Sequence, residues 1–256
     1  MSTESAPFSL TRAPIIEAVM DIGVEPPPGF DLAGCEARAE EFFVGSYPKK
    51  QKQFIQSAEF TVNAAGGSHL VTGNGLAGFL FRSVDERQIV QVKAGGFSFN
   101  RLAPYDSMDV WLPEAKLRWS EYVQIVRPVR IRRVALRYIN RLMLPLRPDG
   151  NVELSEYLIT GPKLADEARF RLAGFLHQHQ IVDTDTGFSA TILQTLQPVE
   201  GGCLPVIFDI EVHRGDARLD PESGELWTTI QDLRILKNRI FTLSLTPQCL
   251  SLFQLP

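Results

Sequence analysis

The sequence predicts an α+β protein made of two similar β-α-β-meander-α halves, with an antiparallel sheet covered by long helices. Three observations predict it. Short segments alternate apolar and polar residues and are separated by turn residues. Two longer segments carry apolar residues at helical spacing. The order of these segments recurs in residues 1–128 and 129–256. No residue-level repeat aligns, so the recurrence is one of element order. Each long helix is expected to cover one face of an antiparallel sheet and leave the other partly open. The halves are expected to pack as one unit, either sharing one extended sheet or forming two sheets face to face.

In the first half, Ile16, Ala18, Met20 and Ile22 alternate with Glu17 and Asp21, the period of a half-buried strand over residues 14–24. Glu25-Pro26-Pro27-Pro28-Gly29 breaks that strand, because proline cannot donate to a ladder. Asp31 can cap a following helix, in which Leu32, Cys35, Ala39 and Phe42 fall at helical spacing. Strands are expected at 53–63, 76–84, 88–93 and 97–102. The last three form a meander, with Asp85-Glu86-Arg87 and Ala94-Gly95-Gly96 as turns. Pro113 suits the first position of a helix over 113–127 whose face is Ala115, Trp119, Tyr122 and Val126. Arg127-Pro128 stops it.

The second half replays this order. A long strand over 129–144 precedes a short helix at 153–159 that ends by Pro162. Strands follow at about 170–182, 187–197 and 204–214. A helix from about Glu222 to Thr242 presents Leu226, Ile230, Leu233, Leu236 and Ile240. Thr246 and Pro247 then read as cap and first turn of a short helix carrying Leu250 and Phe253.

The chain has 256 residues, a formal net charge of -4, 44% hydrophobic and 9% aromatic residues, so it is globular rather than disordered. The mild acidity argues against a nucleic-acid partner, as do strand aromatics that alternate toward the core. The start, residues 1–14, has no basic residue before Arg12 and no apolar run, so it is not expected to be a secretory signal, and no stretch approaches the ~20 apolar residues that span a bilayer. Cys35, Cys203 and Cys249 are odd in number and form no CxxC pair, which reads as reduced thiols in a cytoplasmic setting.

Several phrases of the chain belong together. They are Ala13-Pro14-Ile15-Ile16-Glu17-Ala18-Val19, Phe97-Ser98-Phe99-Asn100-Arg101-Leu102 with Pro104-Tyr105, and the run from Arg132 to Arg141. At the end come Asn238-Arg239-Ile240-Phe241, Leu245-Thr246 and Leu252-Phe253. Nearly end to end, they resemble a sporadically distributed family of uncharacterised bacterial hypothetical proteins, with the phrase around Arg137 the most specific part. The resemblance implies no activity or cofactor. Its patchy distribution is similar to that of horizontally moved genes with accessory functions.

The strongest local pattern is the strand over 129–144. Val134, Leu136, Tyr138, Leu142 and Leu144 point one way, whereas Arg133, Arg137 and Arg141 point the other, with Ala135 and Ile139 between. Guanidinium forks match phosphate and carboxylate, so these three, with Glu17 and Asn100 beside them, are the candidate ligand-binding residues. The alternative is a cross-strand ladder of ion pairs, with Glu17, Asp21, Asp209 and Glu211 supplying the acids. The ladder is the reading the sequence favours.

No catalytic or metal residue is assigned. Asp209, Glu211 and His213 share one strand face, but i and i+2 are ~6.7 Å apart along a strand, too far for all three to hold one ion. His177 and His179 form a His-x-His without an adjacent carboxylate. The stretch Gly66-Gly67-Ser68-His69 through Gly73-Asn74-Gly75 lacks the strand-to-helix context of a phosphate loop and reads as a mobile hairpin loop. The expected function is a non-enzymatic binding or regulatory protein whose open sheet face engages a protein partner. The second expectation is an enzyme or sensor for an anionic small molecule, a phosphorylated compound or nucleotide, held by the three arginines.

Overall fold

The computed structural model describes residues 10–62, 68–162 and 172–254, with the backbone alone for 56–62 and 68–74. The described residues form one nine-stranded antiparallel sheet with helices on one face. In chain order the elements are β1 (Ile15–Glu25), α1 (Glu36–Phe43), β2 (Lys49–Val62), β3 (Ser68–Arg82), β4 (Gln88–Lys93), β5 (Gly96–Leu102) and α2 (Met108–Val126). They continue with β6 (Arg130–Pro145), β7 (Leu176–Val182), β8 (Ser189–Leu196), β9 (Cys203–Arg214), α3 (Glu225–Ser244) and α4 (Pro247–Ser251). The strand order is β2-β3-β4-β5-β1-β6-β9-β8-β7. β1 and β6 therefore lie side by side at the centre. The strands of residues 1–128 extend outward from β1, and those of 129–256 extend outward from β6.

Alternation sets the two faces. Ala18, Met20 and Ile22 of β1, Val134, Leu136 and Tyr138 of β6, and Phe208, Ile210 and Val212 of β9 are all buried under the helices. Phe97 and Phe99 of β5 join them, in register with Ile22 and Met20. Helix α2 lays aromatic rings on β5: Phe97 meets Trp119 edge-on at 5.7 Å, and Phe99 stacks on Trp111 at 5.8 Å. Burying each such ring contributes about 2 kcal/mol, which is why the aromatic strand β5 and the aromatic helix α2 find each other. Helix α3 closes the other half, with Phe241 at 5.9 Å from Phe208. Leu226, Ile230, Leu233, Leu236 and Ile240 are buried, as their spacing predicts.

Several boundaries differ from the sequence reading. Helix α2 starts at Met108, after Ser107, so Pro113 lies inside it instead of opening it. Ile16 is 37% exposed because β1 shifts register between Ile15 and Glu17, a bulge that alternation alone does not show. Part of the glycine-rich stretch is strand, not loop: residues 68–75 belong to β3 and pair with β2, whereas Gly66 and Gly67 lie outside the described residues. The expected helix at 153–159 is one 3-10 turn, Leu154–Glu156. No helix among the described residues is long and apolar enough to cross a membrane.

Candidate functional site

The open face of the sheet carries all five residues singled out in the sequence, and each is already engaged. Arg137 donates through Nε at 3.0 Å and through Nη2 at 2.5 Å to the Asp209 carboxylate on β9. Asp209 is only 7% exposed. This pairing holds the Arg137 guanidinium pKa above its ordinary value, the direction expected when the charged form is hydrogen-bonded. Arg133 donates to Asp21 Oδ1 at 3.4 Å and to Glu211, and Arg141 to Gln197 Oε1 at 2.8 Å and to Glu200. Glu17 accepts from Asn100 Nδ2 at 2.6 Å. Asp21 also accepts from Lys93 Nζ at 3.0 Å. The three arginines thus stand in a ladder of paired charges. Glu17 and Asn100 belong to a separate polar pair on the β1–β5 side.

The other sequence candidates remain dispersed. Asp209 and Glu211 serve Arg137 and Arg133, and His213 Nδ1 lies 3.6 Å from Glu211 Oε1. Burial, followed by the Arg133 charge, lowers the His213 pKa. The His177 and His179 rings stand 4.2 Å apart, with His177 Nδ1 at 3.4 Å from Gln194 Oε1. Among the described residues no group of three His, Cys, Asp or Glu is placed to hold a metal ion.

A different site forms on the helix side. The start of β1, the connection from β5 to α2, the middle of β6 and α3 enclose a cavity of 310 Å³. Pro14, Ile15, Tyr105, Met108, Tyr138, Asn140, Arg234, Lys237, Asn238 and Phe241 are among its lining residues. Two of them are polar residues set in largely apolar stripes. Asn140 takes an inward position on β6 between Tyr138 and Leu142, and Lys237 takes one on α3 between Leu233 and Ile240.

Lys237 is 9% exposed, and its Nζ lies 4.0 Å from the centroid of the Tyr138 ring. No carboxylate among the described residues forms an ion pair with it. Asp109 at the start of α2, a carboxylate in the same lining, is bound at both oxygens by Arg234, at 2.7 and 2.8 Å. Burial first, and the neighbouring Arg234 charge second, bring the Lys237 pKa down from 10.5 to about 7. Asn140 is 2% exposed and donates Nδ2 to Phe208 O at 2.8 Å and to Tyr138 O at 3.2 Å. Two carbonyl partners require the amide nitrogen there, which leaves Asn140 Oδ1 as an acceptor. The Tyr105 and Tyr138 hydroxyls are 3.5 Å apart, and burial holds both phenol pKa values above their ordinary value.

The cavity thus offers an amine with no counter-ion, an aromatic wall, two phenols and an amide acceptor. Sequence reasoning missed it, although the signal was present. From Leu226 through Ile230 and Leu233, a further step of three reaches Leu236 and a step of four reaches Lys237, so the apolar face of α3 carries a lysine.

No protein-family model matches the chain, and no curated protein matches it.

Proposed function

We propose that the chain is a non-enzymatic binding protein for a small molecule, held in the cavity between β6, the start of α2 and α3. One observation carries the reading: Lys237 is buried at a cavity wall with no carboxylate among the described residues to compensate it. Burying an ammonium without a partner costs several kcal/mol, so such a residue is retained where something else uses it. A cavity of 310 Å³ falls at the lower end of the range for small-ligand sites. The arginine ladder has no part in this reading, because its guanidinium groups are occupied by the protein's own acids. A bacterial, cytoplasmic accessory role, suggested by the resemblance and by the cysteine pattern, belongs to the same proposal.

The reading includes the architecture. Residues 1–128 and 129–256 are two versions of one plan, joined through β1 and β6. Support comes from the strand order, in which each half runs outward from its own first strand, and from α2 and α3, each of which follows its half's last strand.

The experiment is a thermal-shift screen with small carboxylates, phosphates, aldehydes and ketones, on the wild type and on Asn238→Trp. Asn238 lines the cavity from the half-buried flank of α3, so a tryptophan there fills it. The expected result is stabilisation of the wild type by at least one class, lost in the variant. A shift that survives in Asn238→Trp, or none in the wild type, overturns the reading.

A further inference from the structure

We propose that Lys237 captures a small aldehyde or ketone in this cavity as an imine. The inference rests on the binding reading above and names the class of ligand.

Imine formation needs a neutral amine, a proton donor beside it and room for a carbonyl compound. All three meet beside the middle of α3. Lys237 is removed from water, has no carboxylate among the described residues to hold its proton, and stands one helical turn from the Arg234 guanidinium. Desolvation and a neighbouring cation are the two devices that make a lysine nucleophilic near neutral pH. Its pKa of about 7 agrees with that placement. The Tyr138 face, 4.0 Å from Nζ, fixes the amine against one wall, so its reach is toward the open volume. Tyr105 and Tyr138 keep their protons, because burial raises both phenols.

The step balances without a redox partner. The Lys237 nitrogen lone pair attacks the carbonyl carbon, a C–N bond forms as the C=O π pair moves to oxygen, and that oxygen takes one of the two protons of the nitrogen to give a carbinolamine. A phenol then protonates that hydroxyl, which leaves as water while C=N forms. The proton released from nitrogen restores the phenol. The net change is amine plus carbonyl giving imine plus one water. Apolar walls at Ile15, Met108 and Phe241 suit a short hydrophobic or aromatic body, and Asn140 Oδ1 suits a hydroxyl donor on it.

The test uses the full chain at pH 7.5 with 4-hydroxybenzaldehyde and, as a smaller probe, propanal. Borohydride then reduces any imine to a stable secondary amine for peptide mass spectrometry. The expected result is labelling of Lys237 at least ten-fold faster than of Lys49, an exposed surface lysine, and no label at position 237 in Lys237→Met. If neither aldehyde labels Lys237 faster than Lys49, the imine proposal fails. The binding reading survives that failure if carboxylates or phosphates stabilise the wild type and not Asn238→Trp. If they also do nothing, both fall.

Discussion

Lys237 Nζ sits 4.0 Å from the centroid of the Tyr138 ring and pairs with no carboxylate among the described residues, so the central strand β6 and the helix α3 meet through a buried amine whose charged form is uncompensated. A cation–π contact contributes ~2 kcal/mol when desolvated. That is less than the several kcal/mol that burying the charge costs. The contact therefore does not stabilise the fold on balance.

Replacing that residue should consequently make the protein more stable. The folded-state pKa of Lys237 is lowered from 10.5 to about 7. Below pH 7 both folded and unfolded chains hold the proton, and the destabilisation is complete. Between about 7 and 10.5 the unfolded chain binds a proton that the folded chain has shed, so stability rises with pH across that window. Lys237→Met removes this dependence. Its advantage over the wild type should shrink by roughly 2 kcal/mol between pH 7 and pH 9. Urea denaturation of both proteins at the two pH values measures it. An advantage independent of pH would mean that Lys237 keeps its proton and is solvated.

Much of the fold was legible because the sheet has one dry face. Ala18, Met20 and Ile22, or Phe97 and Phe99, can point only one way, and the charges of β1, β6 and β9 take the other side. Acid partners for Arg133 and Arg137 were legible for the same reason, since Asp21, Asp209 and Glu211 share their face. Glu200, the partner of Arg141, lies in a connection that alternation does not reach. The start of α2 was misplaced because Pro113 matched a first-turn proline, whereas the chain tolerates it in the interior. The cavity stayed hidden because Asn140 and Lys237 each look like one fault in an apolar stripe. Only their meeting across β6 and α3, elements almost a hundred residues apart in the chain, makes them a site.

Arg137→Ala should destabilise the protein without touching the cavity. The substitution strands the Asp209 carboxylate, whose side chain is 9% exposed, while Arg137 itself is 47% exposed. A fully buried pair broken in this way costs 3–5 kcal/mol and an exposed one almost nothing, so a half-exposed pair should cost about 2 kcal/mol. Adding Asp209→Asn should recover most of the loss. A chemical-denaturation midpoint unchanged by Arg137→Ala would show that Asp209 is hydrated without its partner.

Phe253→Ala tests the chain's last element. Thr246 Oγ1 accepts from Cys249 N at 3.2 Å, Pro247 occupies the first turn, and Phe253 is 7% exposed. Phe253 O also accepts from Arg12 N at 3.1 Å, so the ring is held where the segment before β1 meets the end of α4. Truncating a buried phenylalanine costs about 3 kcal/mol or more. A thermal melt within a degree of wild type would mean that α4 is not docked.

The proposed two-half plan makes the most demanding prediction, a circular permutant. Arg12 N and Thr11 Oγ1 both bond to Phe253 O, at 3.1 and 3.3 Å, so residues 11 and 253 are neighbours in space. A designed flexible linker then joins residue 254 to residue 10, and new ends open at Arg127–Pro128. That link is short, and Arg127 is in the left-handed region, with φ 52°. Such a residue stores about 1 kcal/mol of strain that cutting the chain there releases. What joins the halves is not this link but the β1–β6 ladder, together with contacts such as Trp119 Nε1 to Pro221 O at 3.1 Å. The permutant should therefore fold with an unchanged far-UV spectrum and one cooperative melt, lower by roughly 5 °C at most. Aggregation, or two separate transitions, would mean that the covalent order β1 through α2 before β6 is itself needed to seat one half on the other.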